Sequence, residues 1–327
     1  MLRLPPFTHH RPETIAEAVA IRADHGPDSM FVAGGTDLYP NMKRQHQTPG
    51  HVVSLAGLEE LRNISGTPSE GMTVGAMTLL REIERHPVLC EHYPGFVNAV
   101  TLISTPLLRN MGTIGGNLLL DTRCSYYDQS HEWRESIDFC MKCDGPICWV
   151  APSSKKCLAV QSSDSVPLLC AIGAEVTLVT GEGERRIPLD ELYRDDGIHY
   201  LRMKPGELLT QLHLPAVNGW RSSYRKLRRR GTFDFPVLGV GACLSFDDAI
   251  VSSARIRIGG TASMAVTVED AQDLLTGREL TDDLIEEAAQ LAFKPTRAMD
   301  NTDREAGWRK KMAPVFVARA LHDCRPS

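Results

Sequence analysis

The cysteines of this 327-residue sequence are concentrated in one window. Five of the nine lie between positions 124 and 157, and four of these are separated by 16, 8 and 9 positions: Cys124, Cys140, Cys148 and Cys157. Thiolates are soft ligands, and four of them suit either tetrahedral zinc or an iron–sulfur cluster. Zinc ribbons generally use paired C-x-x-C motifs, and only Cys140 and Cys143 form one here. The pattern favours an iron–sulfur cluster, with zinc and a chance grouping of structural cysteines as alternatives.

Two glycine-bearing turns are the second chemical feature of the sequence. They are VAGGTDL, at Val32–Leu38, and GTIGGN, at Gly112–Asn117. Adjacent glycines let the backbone approach a ligand closely and leave amide N–H groups free to face phosphate oxygens. Thr36 and Asn117 would add a hydroxyl and an amide donor. Neither turn is the G-x-G-x-x-G of a Rossmann site, and two ordinary glycine turns are the alternative interpretation.

Regular elements are predicted on both sides of these motifs. A helix over residues 12–25 begins with a capping box, in which Thr14 is followed by Glu17. The first glycine turn follows a strand at Met30–Ala33, and the second follows a helix at Phe96–Ile103. The cysteine window lacks periodicity, so we interpret it as an insertion that is held by something other than a hydrophobic core. Further predicted strands are 51–55, 72–74, 175–180, 185–188 and 208–214, with a helix over 78–85.

The pattern of apolar residues changes near residue 218, where we place a domain boundary. Residues 224–230, 239–245 and 254–258 are typical of an antiparallel sheet, and residues 280–293 and 308–322 of helices. The fold class predicted for the whole chain is therefore α+β.

Bulk properties exclude several classes of function. The formal net charge is −5 and the sequence pI is about 6.1, which argues against a general nucleic-acid or anionic-membrane binder. No apolar run is long enough to span a bilayer, and two prolines interrupt the N-terminal stretch where a signal peptide would need an apolar run. A cytoplasmic protein is expected. The eleven histidines show no ligand spacing and are interpreted as surface residues.

Four motifs in order resemble a known family. They are VGAMT (Val74–Thr78), RNMGTIGGNL (Arg109–Leu118), SSDSVPLL (Ser162–Leu169) and YRKLRRRGTFDFPVLGV (Tyr224–Val240). Together with the first glycine turn they resemble the FAD-binding subunits of the molybdenum hydroxylases, the family of xanthine dehydrogenase and carbon monoxide dehydrogenase. The resemblance implies a two-part FAD-binding domain of the PCMH/VAO type over residues 1–217 and a C-terminal α+β flavoprotein domain over residues 218–327.

The resemblance also implies the FAD contacts. The two turns would wrap the pyrophosphate, Lys226 would lie near the flavin ring, and Asp164 would lie against the FAD rather than in a solvated turn. Asp121 would position the loop between FAD and the cysteine window. No residue of this chain is expected to be catalytic. The full set of expected FAD-site residues is Phe31, Val32, Ala33, Gly34, Gly35, Thr36, Asp37, Leu38, Ile103, Thr113, Ile114, Gly115, Gly116, Asn117, Asp121, Asp164 and Lys226.

The cysteine window resembles one subgroup of this family in particular. DTRCSYYDQS (Asp121–Ser130), followed by three spaced cysteines, is similar to the β subunits of 4-hydroxybenzoyl-CoA reductases, in which an insertion in the flavin domain binds a 4Fe-4S cluster. This similarity implies an insertion over about residues 122–160, cluster ligation by Cys124, Cys140, Cys148 and Cys157, and no ligand role for Cys143. A periplasmic aldehyde oxidase also carries a cluster here, but with different cysteine spacing.

The resemblance implies electron transfer within a larger complex. Reduced ferredoxin would be the donor, and the partners would be a 2Fe-2S small subunit and a molybdopterin-binding large subunit, in a dimer of heterotrimers. The complex would reductively dehydroxylate a 4-hydroxybenzoyl-CoA-like thioester. Two alternatives stay open: the flavin subunit of an aldehyde- or purine-oxidising molybdenum hydroxylase, and a non-redox FAD/zinc module that serves assembly.

Overall fold

A small parallel sheet forms the N-terminal part of the chain in the computed structural model, which describes residues 3–326. Its strand order is β1-β3-β2, and the first glycine turn connects β2 to helix α2. Helix α1 packs on β2 and β3 through Ala18 and Val19, both fully or nearly fully buried. The elements are β1 (Thr8–His10), α1 (Ile15–His25), a 3-10 turn (Gly26–Asp28), β2 (Ser29–Val32), α2 (Leu38–Lys43) and β3 (His51–Ser54).

The predicted start of α1 is confirmed by its cap. The Thr14 side chain accepts a hydrogen bond of 3.1 Å from the Glu17 amide, and the Glu17 carboxylate accepts one of 2.7 Å from the Glu13 amide. These bonds satisfy amide donors that have no partner inside a helix. The helix ends at Gly26, whose φ of 50° lies in the region that favours glycine.

A five-stranded antiparallel sheet follows, in the order β4-β5-β8-β6-β7. Helices α5 and α9 contribute to the largest hydrophobic core, which includes Phe96, Leu168 and Leu212. The strands are β4 (Ile64–Thr67), β5 (Gly71–Gly75), β6 (Glu175–Thr180), β7 (Gly183–Pro188) and β8 (Leu208–Leu214). The helices are α3 (Leu80–Arg85), α4 (Pro87–His92), α5 (Pro94–Thr101), α6 (Pro106–Arg109), α7 (Ile114–Leu118) and α9 (Ser165–Ile172), with 3-10 turns at Glu59–Leu61 and Leu189–Leu192.

The cysteine window lies between α7 and α9 and has little regular structure. Its one helix is α8 (His131–Ser136), and the rest is held by turns and isolated bridges. A small separate core contains three of the spaced cysteines together with Tyr127 and Ala159. The window therefore has a small core of its own beside the five-stranded sheet.

The C-terminal part is a four-stranded antiparallel sheet covered by three helices. The sheet order is β12-β11-β10-β9, and α9 packs on β10 and β11 from the other side. The elements are β9 (Arg221–Leu227), β10 (Leu238–Asp247), β11 (Ile250–Gly259), β12 (Val266–Thr267), α10 (Glu269–Leu275), α11 (Asp282–Gln290) and α12 (Ala306–Asp323). Within residues 3–326, no helix combines the length and apolarity that crossing a membrane requires.

Candidate functional site

The first glycine turn packs directly against the second. A Cβ on Gly34 would lie 1.8 Å from the backbone oxygen of Met111, immediately before Gly112. Gly35 has a φ of 70°, and a Cβ there would lie 2.5 Å from the Tyr39 ring. Only glycine fits either position, because one is too crowded and the other is both crowded and left-handed. The two turns predicted to wrap one ligand are thus neighbours in space.

The first glycine turn contains consecutive backbone N–H groups that have no acceptor within residues 3–326. Among the described residues, the backbone N–H groups of Gly34, Gly35, Thr36 and Asp37 donate to no protein acceptor. Phe31, Val32 and Ala33 lead into this row from β2, and Leu38 begins α2 after it. Consecutive N–H groups around a left-handed residue form a concave donor surface that suits phosphate oxygens. The turn therefore has the donor set that a pyrophosphate needs.

The second turn is organised differently from the prediction. The Gly115 amide donates to the Ala76 carbonyl over 2.8 Å, and the Gly116 amide donates to the Thr113 hydroxyl over 3.1 Å. The Ile114 amide is also engaged, with Thr78. A Cβ on Gly115 would lie 2.8 Å from Ala76. The expectation of free amides thus holds for the first turn, whereas the second uses its glycines for close packing.

Asn117 ends the second turn and connects it to the segment after the insertion. Its side-chain oxygen accepts hydrogen bonds of 2.6 Å from Ser163 and from Ser165. Among the described residues, its amide NH₂ group donates to no side chain or carbonyl. The two serines therefore fix the orientation of the Asn117 side chain, and its NH₂ group is free to donate a hydrogen bond to a ligand.

Lys226 and Asp164 form a buried ion pair between the two halves of the chain. Their side chains are 1% and 5% exposed, and the ammonium lies 2.9 Å from the carboxylate. The ammonium also donates to the carbonyls of Leu102 and Asp234, at 2.9 and 2.7 Å. The Tyr224 hydroxyl donates to the other carboxylate oxygen over 2.8 Å. All three ammonium donors are thus used inside the protein.

The pair also fixes the segment that carries Ile103. Leu102, whose carbonyl accepts from Lys226, directly precedes Ile103, and the Ile103 carbonyl accepts a bond of 2.9 Å from Arg109. Burial raises the pKa of Asp164 above its usual value, and Lys226 opposes that rise. The contribution of Lys226 and Asp164 to a flavin site stays a prediction. Their ion pair joins β9 to the segment before α9.

A second acidic group lies at the first turn itself. Burial raises the pKa of Asp37 to about 6, an effect that Arg123 opposes and Asp121 reinforces. The Asp37 carboxylate accepts a hydrogen bond of 2.9 Å from the Asn41 side chain. Asp37 and Asp121 thus influence each other electrostatically, and their contact with FAD stays a prediction.

The four spaced cysteines converge on one small cavity. Cys124, Cys140, Cys148 and Cys157 are each 5–6% exposed and line it together with aromatic side chains and Lys142. Burial raises the pKa of the Cys124 thiol to about 12 and that of Cys157 to about 11. No three of the cysteine sulfurs in residues 3–326 lie within 4.8 Å of one another.

Cys143 takes a different environment from the other four cysteines, and its expected lack of a ligand role stays a prediction. Its sulfur accepts a bond of 2.7 Å from the Arg134 guanidinium and lies 3.3 Å from the Asp144 carboxylate. It does not line the cavity that the other four share. Arg134 is fully buried and also donates to the carbonyls of Arg44 and Gln45, so it ties the insertion to the end of α2.

Lys142 connects the cysteine cavity to the FAD-type loops. Its ammonium donates to Asp121 at 2.7 Å, to the Thr122 hydroxyl at 2.6 Å and to the Gly197 carbonyl at 2.8 Å. The same positive charge lowers the pKa of Cys157 against the effect of burial. Asp121 is thus held between the two predicted sites. A single lysine within a charged insertion gave no sequence signal for this role.

Three histidines form a cluster that the sequence did not indicate. His10, His25 and His51 are partly exposed, and their side-chain nitrogens lie within 4.8 Å of one another. They are 15 and 26 positions apart and come from three elements, so linear spacing does not predict their meeting.

Comparisons with known proteins agree with the geometry. Residues 5–217 match the family described as the FAD binding domain in molybdopterin dehydrogenase, and residues 222–324 match the CO dehydrogenase flavoprotein C-terminal domain. The chain is 30% identical to the aldehyde oxidoreductase FAD-binding subunit PaoB of Escherichia coli, over 98% of both chains. It is 27% identical to the carbon monoxide dehydrogenase medium chain of Hydrogenophaga pseudoflava, over 97% of this chain and 96% of that one.

Solved structures give the same result. The chain superposes on a carbon monoxide dehydrogenase structure from Hydrogenophaga pseudoflava with a TM-score of 0.81 at 26% identity, covering 98% of both chains. A cyanide-inactivated Cu,Mo-CO dehydrogenase matches with a TM-score of 0.80, also at 26% identity and 98% coverage of both chains. The predicted family resemblance and the mixed α/β two-part architecture are thereby confirmed.

Proposed function

We propose a specific role for this chain, which belongs to the family of FAD-binding subunits of the molybdenum hydroxylases. It is the subunit that carries FAD and a 4Fe-4S cluster in a 4-hydroxybenzoyl-CoA reductase-type complex. Its task is electron transfer, and the substrate is transformed on a partner subunit. The observation that carries the proposal is the set of four buried cysteines around one cavity, directly after the second glycine turn.

The donor set of the cavity fits an iron–sulfur cluster. Four sulfur ligands and an apolar lining are the usual surroundings of such a cluster. In tetrahedral zinc sites the metal–sulfur distance of about 2.3 Å places the sulfurs about 3.8 Å apart. Among residues 3–326, no three cysteine sulfurs lie within 4.8 Å of one another, so the thiols are not already arranged as a single tetrahedral zinc site. The choice of a cluster over zinc rests on the cysteine pattern of the sequence, in which only Cys140 and Cys143 form a C-x-x-C pair.

The glycine turns fit the phosphate part of FAD. Gly34 to Asp37 offer their free amides, and Gly34, Gly35 and Gly115 leave no room for side chains that would block close approach. When bound, the FAD and the cluster supply two-electron and one-electron redox chemistry. Lys142 and Asp121 hold the insertion against the turns, which keeps the two binding regions next to each other.

The nature of the complex rests on the resemblance of the insertion. The 16, 8, 9 spacing supports 4-hydroxybenzoyl-CoA reduction, with ferredoxin as the electron donor. The partners are a 2Fe-2S small subunit and a molybdopterin-binding large subunit, in a dimer of heterotrimers. A second candidate is the flavin subunit of an aldehyde-oxidising complex, which the 30% identity to an aldehyde oxidoreductase FAD-binding subunit supports.

Paired cysteine variants test the cluster. Cys148→Ser removes a cavity-lining thiol, and we expect it to lose or convert the cluster, whereas Cys143→Ser should keep the iron and acid-labile sulfide of the wild type. Both substitutions are isosteric and lie five positions apart, so Cys143→Ser is a matched control. Zinc without acid-labile sulfide in the wild-type protein, or cluster loss only in Cys143→Ser, would contradict the assignment.

Reduction of the purified complex tests the direction and substrate class. We expect reduced ferredoxin to bleach the flavin and cluster absorption and to drive reductive dehydroxylation of 4-hydroxybenzoyl-CoA. Bleaching by an aldehyde, with no response to the thioester, would support the second candidate instead. The isolated chain should be reducible by a strong donor yet turn over no acyl-CoA. Steady acyl-CoA reduction by the single chain would refute the electron-transfer role.

A further inference from the structure

Three imidazoles meet at one end of the small parallel sheet, apart from the predicted FAD and cluster regions. His10 ends β1, His25 ends α1 and His51 begins β3. A nitrogen of His10 lies 2.9 Å from a nitrogen of His51, and the His25 and His51 rings stack with centroids 3.6 Å apart. All three residues offer one nitrogen each within 4.8 Å of the others.

The backbone around these histidines is firmly fixed. Gly26 ends α1 directly after His25, with its amide bonded to Arg22. The residue before His51 is Gly50, whose amide donates to the Asp28 carboxylate over 2.9 Å and whose carbonyl accepts from Thr8 over 2.8 Å. The three Cα positions are thus set by the fold, and only side-chain rotation is needed to alter the distances between the nitrogens.

The surroundings of His10 disfavour its protonated form. Burial lowers the pKa of His10, and the neighbouring His51, His25 and His9 lower it further. No carboxylate is among the groups that act on His10. Neutral imidazole is the form that binds transition metals, and a divalent ion satisfies several nitrogen lone pairs at once where added protons would repel one another.

We propose that His10, His25 and His51 form a binding site for a divalent transition metal such as Zn²⁺, with water as the remaining ligand. In a tetrahedral site the zinc–nitrogen distance of about 2.0–2.1 Å places the nitrogens about 3.4 Å apart. Since the nitrogens already lie within 4.8 Å, rotation of the three partly buried rings closes the site. The hydrogen atom between His10 and His51 moves to the other nitrogen of its own ring when the ion binds, so that all three imidazoles bind as neutral ligands.

The position of the site indicates what the ion does. Ser29, the first residue of β2, pairs with His51, and the turn with the free amides follows the other end of β2. A metal bound here joins β1, β3 and the end of α1 into one rigid unit below that turn. Its role is to stabilise this lobe, because a ligand that binds only the folded state shifts unfolding toward higher temperature.

Metal titration of the full chain, purified with its bound cofactors, tests the proposal. Zn²⁺ binding is measured by equilibrium dialysis and metal analysis, and Co²⁺ provides an absorption spectrum that separates imidazole from thiolate ligation. We compare wild type with His10→Gln, His25→Gln and His51→Gln. The control is His9→Gln, an exposed neighbour of His10.

We expect wild type and His9→Gln to bind one more equivalent of Zn²⁺ than the triad variants, or to bind it at least tenfold more tightly. The corresponding Co²⁺ spectrum should lack thiolate charge-transfer bands, and Zn²⁺ should raise the unfolding temperature only where the triad is intact. Equal Zn²⁺ binding by wild type and His25→Gln, or a thiolate spectrum for the extra equivalent, would overturn the site. His25 lies at a helix end, so this variant keeps the test valid if His51→Gln folds poorly.

Discussion

Replacing Lys226 by Met removes the ammonium of the buried Lys226–Asp164 ion pair and puts an unbranched apolar side chain in its place. The change leaves the Asp164 carboxylate buried without its cation, and leaves the Leu102 and Asp234 carbonyls without a donor. Breaking a buried pair by removing one partner costs about 3–5 kcal/mol. The 1% and 5% exposures of the two side chains place this pair in that class, so we expect the free energy of unfolding to fall by about that amount.

The loss should depend on pH, with a sign that follows from Asp164. Burial raises the pKa of Asp164, and Lys226 opposes the rise, so in Lys226→Met the pKa increases further. Over the pH range where Asp164 is ionised in the wild type and protonated in the variant, only the folded variant holds a proton that the unfolded chain releases. The difference in stability then widens by up to about 1.4 kcal/mol for each unit of rising pH.

Urea unfolding at pH 6, 7 and 8, followed by tryptophan fluorescence, measures both effects. Arg225→Met is the matched control, because Arg225 lies next to Lys226 on β9 and pairs with Asp323 at exposures of 47% and 32%. An exposed pair contributes about 0–1 kcal/mol, so the control should change little. A loss below about 1 kcal/mol in Lys226→Met, or a loss that stays constant from pH 6 to pH 8, would refute the buried-pair reasoning.

Three further predictions concern the predicted cofactor regions. Gly34→Ala should abolish flavin retention, because its Cβ would lie 1.8 Å from the Met111 carbonyl, whereas Gly307→Ala, with open space around it, should keep full flavin absorbance. Asp37→Asn should remove a pH dependence of stability. Because the pKa of Asp37 is raised from 3.8 to about 6, ionisation of Asp37 lowers the wild-type free energy of unfolding by up to about 3 kcal/mol as the pH rises between these values. Urea unfolding of both proteins from pH 4 to 7 measures this difference. Chelation or oxidative removal of the proposed cluster should make residues 122–160 the first protease-sensitive segment in mass spectrometry. First cleavage elsewhere would count against cluster-dependent folding of the cysteine window.

Local signals made much of the fold predictable from sequence. The Thr14–Glu17 cap, the glycine turns and the cysteine spacing each depend on residues close together in the chain, and each has a counterpart in the structure. Contacts between distant residues were not predictable in the same way. The histidine cluster and the Lys142–Asp121 link arise only when several elements pack together, because neither residue type nor spacing marks their members in advance.

The two glycine turns have similar sequences but use their backbone amides differently. A glycine pair indicates that the backbone is crowded, and it does not indicate by what. In the first turn Gly34 meets the Met111 carbonyl and the neighbouring amides stay free, whereas in the second turn Gly115 meets Ala76 and donates to the Ala76 carbonyl. Glycine therefore leaves neighbouring amides free for a ligand in the first turn, whereas it allows close packing of the backbone in the second.

The hydrogen bonds at the two ends of the cysteine window explain how this segment is accommodated in the fold. Arg123 and Val160 exchange two backbone hydrogen bonds of 2.8 Å, so the chain leaves and returns at one point. Just outside this bridge, Asn117 accepts bonds from Ser163 and Ser165, which joins α7 to the start of α9 without using the insertion. The chain as a whole superposes on carbon monoxide dehydrogenase structures with TM-scores of 0.80 and 0.81. Because Lys142 of the cysteine window donates to Asp121, the window is held against the predicted FAD loops rather than extending away from them.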